Sequence, residues 1–286
     1  MNSMLLKRKA SRIYLWLVPV LVVILGLSFG KTNYTFYLPI WILNVVLMVM
    51  ASWILGLHVI NDKNKSKHIA VGAFCLIVPT ILVSMFFGLG PPPETPAGWV
   101  ATSTEQQVRY SMLTAAGIFI ALGFTLLKEK QKNDGENYYS LLGSIAINIA
   151  IPLFILDMLF WGFSLTESFK ILVATNTEKM PEWFKPLRQI FGMVSVVEVA
   201  LTYLAIAFFS VSLNMTGRLS KTSKNIYIVL SLFAFLIIIL SAFLPEPFVT
   251  AGFAVSIPAI PFLMPYFISI NLLKREGDQL IKQNNS

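Results

Sequence analysis

Charge is what this sequence has least of. Of its 286 residues only 13% are charged and 56% are hydrophobic, where an average soluble domain has about 25% and about 45–50%. Such a chain cannot solvate its own surface, which excludes an ordinary soluble enzyme. Cysteine is nearly absent. The single residue, Cys75, stands inside an apolar run, so a disulfide framework, a four-cysteine zinc site and an iron–sulfur cluster are excluded within this chain. Histidine is scarce as well. His58 and His68 flank Asn61-Asp62-Lys63-Asn64-Lys65, where the lysines oppose a cation, so no metal, haem or other cofactor is expected. Phosphate-binding glycine loops, nucleophile elbows and H-E-x-x-H are also missing.

What is present is a series of long apolar runs. A bilayer-spanning helix needs about 20 apolar residues, because every backbone amide must find its partner inside the hydrocarbon. Eight segments reach that length: 13–30, 36–60, 69–90, 108–127, 141–164, 189–213, 226–245 and 249–273. The expected fold class is an all-α integral membrane protein, with eight transmembrane helices in four hairpins forming one polytopic domain over residues 1–286. Met1 to Arg12 imitates the basic start of a signal peptide. The apolar run that follows is too long for one, and Leu27-Ser28-Phe29-Gly30 offers no small-residue cleavage site, so a retained first span is expected.

Lysine and arginine orient the spans. One set of connections carries Lys7, Arg8, Lys9 and Arg12, then Lys63, Lys65 and Lys67, then Lys128, Lys130 and Lys132, then Arg218, Lys221 and Lys224, then Lys274, Arg275 and Lys282. The other has six: Lys31, Arg109, Lys170, Lys179, Lys185 and Arg188. By the positive-inside bias both termini are cytoplasmic, in a cell inner membrane. Because topology accounts for the +8 formal charge, nucleic acid is not an expected partner, whereas anionic membrane lipids are.

Two outer connections are longer than a turn requires. Residues 90–107 open on Pro91-Pro92-Pro93 and continue Glu94-Thr95-Pro96, which predicts an extended polyproline path. Residues 165–186 mix Phe169, Ile171, Leu172, Trp183 and Phe184 with Glu167, Lys170, Glu178, Lys179 and Lys185. There a solvated connector with an amphipathic turn on the outer leaflet is expected. Pro79 with Ser84–Gly88, and Pro152 with Asp157–Gly162, suggest a duplicated hairpin of the kind found in transporters.

Only Asp157 and Glu198 put carboxyls inside the expected spans. Charge at the bilayer centre costs at least about 2.5–3.5 kcal/mol on insertion scales, so such residues usually face a cavity or a partner. At 1.5 Å per residue, Asp157 lies about 10 Å and Glu198 about 14 Å from the outer ends of their helices. Nearly equal depths on one antiparallel hairpin make a shared proton or cation site a reasonable expectation. Gly143, Ala146 and Ala150 share a face with Asp157 and predict close packing against protein. Gly192, Ser195, Glu198 and Thr202 form a polar stripe on the next span. The bland reading is that each carboxyl is protonated and hydrogen-bonded to a neighbouring helix.

Proline supplies the second signal. Pro152 frees the carbonyl of Asn148, and Pro258, Pro261 and Pro265 are too many for one regular helix. Broken membrane helices often line transport sites. The expected pathway residues are therefore Asp157, Glu198, Ser195, Thr202, Asn148, Pro152, Pro258 and Pro261, with Arg109 and Arg188 as headgroup anchors and no catalytic residue. The favoured expectation is a small ion- or proton-coupled transporter of a solute or cation. Its rivals are a non-catalytic subunit or assembly factor docked to other membrane subunits, and an enzyme of lipid-linked substrates with Asp157 or Glu198 as acid or base.

Overall fold

The computed structural model describes residues 2–29, 34–61, 67–85, 89–90, 92–175 and 182–284, and among these it is helical with no strand. In chain order the helices are α1 Asn2–Phe29, α2 Tyr34–Leu55, α3 Lys67–Val83, α4 Pro96–Ala101, α5 Ser103–Asn133, α6 Tyr138–Leu159, α7 Leu165–Ala174, α8 Phe184–Met215, α9 Lys221–Ser241, α10 Phe248–Ser256 and α11 Ala259–Asn284.

Five helices are long and apolar enough to cross a membrane: Tyr37–Leu55, Ser103–Asn133, Tyr138–Ala174, Phe184–Met215 and Lys221–Ser241. The pair α10 and α11, bent by 48° at its break, makes a sixth if it is one span. These apolar helices fit a multi-pass membrane protein. Of the two other expected spans, 13–30 falls almost entirely within α1, whose first turns carry Lys7, Arg8, Lys9 and Arg12. The third, 69–90, is shorter than its apolar run implies. Its helix α3 has 17 residues and ends at Val83, and residues 86–88 lie outside the described part.

Packing sorts the helices into a centre and a rim. The most apolar windows of α2 and α9 are only 22% buried within the protein, against 56% for α8. A rim helix leaves large apolar side chains facing outward, as Phe233, Val229 and Leu43 do, and in lipid this exposure carries no hydrophobic penalty. The extensive contact between α6 and α8 uses the expected small-residue stripe: a Cβ added at Gly143 would lie 2.7 Å from the Phe209 ring and 3.2 Å from the Ala205 carbonyl oxygen.

Both long connections contain helix, at residues 96–101 and 103–107 and at 165–174, which corrects the expectation of an extended path beyond Thr95 and of a solvated connector over 165–174. Thr95 caps α4, accepting from the Gly98 amide at 3.2 Å, with Pro96 in the first turn, where its missing N–H costs nothing. Residues 165–174 continue from α6 through a π-helical turn at Phe160–Ser164, so the helix runs unbroken from Tyr138 to Ala174. Helix α4 then packs on α7. Trp99, 4% exposed, donates its indole N–H to Thr166 Oγ1 at 2.9 Å and stacks on Tyr110 with ring centroids 6.2 Å apart. The suggested hairpin repeat gains nothing here: Pro79 is buried and Pro152 exposed, and Phe86, Phe87 and Gly88 lie outside the described residues.

The opposite end of the bundle is tied by charge. Arg8 is buried, and its Nη2 donates to the carbonyls of Leu55 and Lys274, each at 3.0 Å, while pairing with Asp278 at 3.0 Å. Arg218 bridges Asp134 to Glu276, the latter at 3.0 Å. Glu136 accepts from the amides of Tyr139 and Ser140 at 2.8 and 3.2 Å, capping α6, and from the hydroxyl of Ser212 on α8. These groups bring together the start of α1, the ends of α2, α5 and α8 and the second half of α11.

Two predictions concern this end. Space for a side chain is missing at Gly56, where a Cβ would run into the Leu273 carbonyl, and at Gly277, where it would meet the Leu55 carbonyl and Arg8. Backbone oxygen cannot swing aside, so G56A and G277A should each destabilise by about 1–3 kcal/mol, read as a lowered melting temperature in detergent; an unchanged temperature would refute the contact. The second concerns pH. Burial pushes the Asp134 carboxyl up, but hydrogen bonds and charge from Lys130 and Arg218 outweigh it and hold the group below its ordinary value of 3.8. A depressed folded value means stability present above the unfolded value and lost as pH falls through the folded one. D134N should therefore melt below wild type at neutral pH, with the gap closing once pH falls below about 4.

Candidate functional site

Asp157 and Glu198 project from the two most intimately packed helices. Asp157 is the last polar residue of α6 before the π-helical turn, and it is 3% exposed; Glu198, in the middle of α8, is 5% exposed. Glu198 lies within range of the Asp157 charge. Trp161, one turn beyond Asp157, donates its indole N–H to Asp157 Oδ1 at 3.1 Å. The Glu198 carboxyl accepts no hydrogen bond among the described residues, and its oxygens are not among the fully buried polar atoms left without a partner. A short polar side chain held at a helix break or bulge is a common functional device. Here the wide turn, in which the Leu165 amide reaches back to the Phe160 carbonyl, starts directly after Asp157 and its neighbours Met158 and Leu159.

Two tyrosines complete the surroundings. Tyr110 lies within range of the Asp157 charge and Tyr203 within range of Glu198. Tyr110 reaches this position because Gly162 has no side chain: a Cβ there would lie 2.5 Å from the Tyr110 Cβ. Tyr110 also carries Trp99 on its other side, so the α4–α7 cap is connected to the Asp157 neighbourhood by one ring. Tyr203 is fully buried and its hydroxyl donates to the Val255 carbonyl at 2.8 Å. That oxygen belongs to the last turn of α10, just before the break at Ile257 and Pro258. A broken membrane helix needs its freed backbone groups satisfied by protein or water, and Tyr203 satisfies one of them.

The sequence-derived residues separate into two groups. Asp157, Glu198 and Thr202 are buried, and Ser195 is half-buried. Thr202 spends its hydroxyl on the Glu198 main-chain carbonyl at 2.8 Å rather than on the carboxyl. Asn148 and Pro152 lie elsewhere, on the exposed face of α6, and Asn148 donates only to Ser144 Oγ at 3.4 Å. The helix passes Pro152 without interruption. At the break in the last span, Pro258 is half-buried and Pro261 buried. Ile257 has an extended conformation with ψ 121°, which the following Pro258 favours. Of the two arginines, Arg188 is exposed, whereas Arg109 is 6% exposed and donates to the Gly90 carbonyl at 2.7 Å, engaged by its own loop.

Sequence reading missed the roles of Trp161, Tyr110 and Tyr203. Trp161 stood at i+4 from Asp157, the spacing that brings side chains together on a helix, but an aromatic residue near a span end reads equally well as an interfacial anchor. Among the described residues no group of three or more histidine, cysteine, aspartate or glutamate side chains is arranged to hold a metal ion. His58 instead sets Nδ1 2.8 Å from the Trp53 carbonyl oxygen, and Asp62 lies outside the described residues. What the site offers chemically is a pair of buried carboxyls, one oriented by an indole, flanked by phenols and near a helix break.

No family model matches this chain, and no curated protein or solved structure matches it either.

Proposed function

We propose that this chain is a small proton- or cation-coupled transporter whose coupling site is the Asp157–Glu198 pair. The observation that carries the reading is the burial of two carboxyls on neighbouring helices, with Glu198 in range of the Asp157 charge and accepting no hydrogen bond among the described residues. A structural carboxyl in a membrane helix normally finds a donor. An unmatched acceptor set is suited to a proton or a small cation that comes and goes, since neither carboxyl can be ionised cheaply while the other is. Ser195 and Thr202 lie on the same side of α8, and the α10–α11 break at Pro258, with Pro261 beyond it, is joined to α8 through the Tyr203 hydroxyl and the Val255 carbonyl. Asn148 and Pro152 belong to the outward face of α6 and take no part in this reading.

The same proposal gives the chain eight spans with both termini in the cytoplasm of a cell inner membrane. The charged end formed by Arg8, Asp134, Arg218 and Asp278 is then cytoplasmic, and the aromatic α4–α7 cap faces outward. Arg188 is the exposed arginine available to headgroups.

Two experiments test these statements. In proteoliposomes loaded with a pH-reporting dye, wild type should move protons, alone or against sodium or potassium, and D157N and E198Q should each lower that flux by about tenfold or more. That loss is on the scale of removing one ionisable group from a proton pathway. No flux in wild type, or full flux in both variants, defeats the reading. For the orientation, cysteines replacing exposed Lys132 and Glu94 should be alkylated from the inner and the outer side respectively, against the quiet background of buried Cys75. Labelling from the reverse sides defeats it.

A further inference from the structure

At the charged end of the bundle a cavity of about 410 Å³ opens between the start of α1, the α8–α9 turn and the second half of α11. Its size falls within the range of about 300–1,000 Å³ usual for small-molecule sites. Four cations line it, Arg12, Arg218, Lys274 and Arg275, against the single carboxylate Asp278. The imbalance is larger than this count suggests. Asp278 is already shared between Arg8 and Lys274, at 3.0 and 2.9 Å, and Arg218 is held by Asp134 and Glu276. Arg12 and Arg275 have no acidic partner among the described residues. The buried Nε of Arg218 also lacks an acceptor.

Local backbone chemistry aims this wall. Gly217 adopts φ +67°, the left-handed conformation that ends α8, with the Arg218 and Leu219 amides returning to the Leu213 carbonyl at 2.7 and 3.0 Å in a Schellman-type closure. The turn delivers Arg218 and then Ser220, which caps α9 by accepting from the Ser223 amide at 3.1 Å. The first turn of the 21-residue helix α9 thus borders the cavity, its free amides and positive dipole end adding to the cations. Ser223 contributes a hydroxyl 2.9 Å from Ser220 Oγ.

The geometry points to a binding site for a phosphate group, carried by an anionic lipid headgroup or by a soluble phosphate. Two unpaired guanidiniums, a third held by carboxylates, serine hydroxyls and a helix N-terminus match a tetrahedral oxyanion, which takes several charge-assisted hydrogen bonds at once. Nothing in this assignment depends on the Asp157–Glu198 pair, so either can fail alone.

The test is thermal unfolding in phosphatidylcholine nanodiscs, with inorganic phosphate titrated against chloride at equal ionic strength, and separately in nanodiscs doped with phosphatidylglycerol. Wild type should be stabilised by at least one of these, and R12Q/R275Q should weaken the apparent affinity about tenfold or more while melting normally without the anion. Stabilisation by phosphatidylglycerol alone identifies a headgroup site, and stabilisation by inorganic phosphate a site open to soluble phosphate. No stabilisation by either, or equal stabilisation of the variant, overturns the assignment. Should R12Q/R275Q not fold, S223D places a carboxylate in the cavity without removing any ion pair and should abolish the same shift.

Discussion

The arrangement of helices depends above all on the guanidinium of Arg8. Apolar helices packed in lipid have little to choose between neighbours, because hydrocarbon tails are as apolar as leucine. A buried cation is different: it must be met at fixed points by acceptors or it is very costly. Arg8 finds those points on the last turn of α2 and on α11, so one side chain near the N-terminus fastens three helices. Arg218 does the same for the ends of α5 and α8 against α11. With α11 common to both, the terminal helix becomes the member to which the rest are referred.

The two ends of the bundle are built from different chemistry. One end is a lattice of guanidiniums and carboxylates. The other is held by neutral donors of aromatic rings: Tyr37 to the Ser84 carbonyl at 2.7 Å, Trp41 to the Ile81 carbonyl at 2.9 Å, and Trp99 to Thr166. Between them the interior carries few polar groups, and those present mostly return to their own helix, as Ser210, Ser52 and Thr202 do four residues back. Glu198 departs from that habit, its carboxyl accepting from no residue of its own helix, whereas Asp157 keeps to it by accepting from Trp161 one turn on.

Much of the helical content was legible because length and apolarity are local properties. The runs at 108–127 and 189–213 became α5 and α8, both extended beyond their apolar limits, while 226–245 became α9, which starts five residues earlier and stops at Ser241. The small stripe below Asp157 was legible for the same reason, since spacing fixes the face and size fixes how closely it packs. The cap was not. Its formation rests on Trp99 meeting Thr166 across 67 positions, and nothing local in either segment announces the other. Nor does the sequence reveal the π-helical turn at Phe160–Ser164, or that Tyr110 packs directly against its Gly162. Arg8 was counted as one more cytoplasmic charge, because its burial is decided by helices that come later in the chain. At the candidate site, the carboxyls could be found by type alone, while Trp161, Tyr110 and Tyr203 required the fold.

Gly56 and Gly277 carry one more consequence. Each faces a main-chain oxygen of the other's segment, Gly56 that of Leu273 and Gly277 that of Leu55. The two contacts lie four residues, one helical turn, apart on α11, and they act as a vernier. Sliding α11 by a single residue would bring Glu276 or Asp278 in place of Gly277 and force a charged side chain against backbone. A slide by a whole turn would restore one contact and lose the other. Apolar faces tolerate both displacements, so the axial register of the last helix is set by two missing side chains rather than by any attraction.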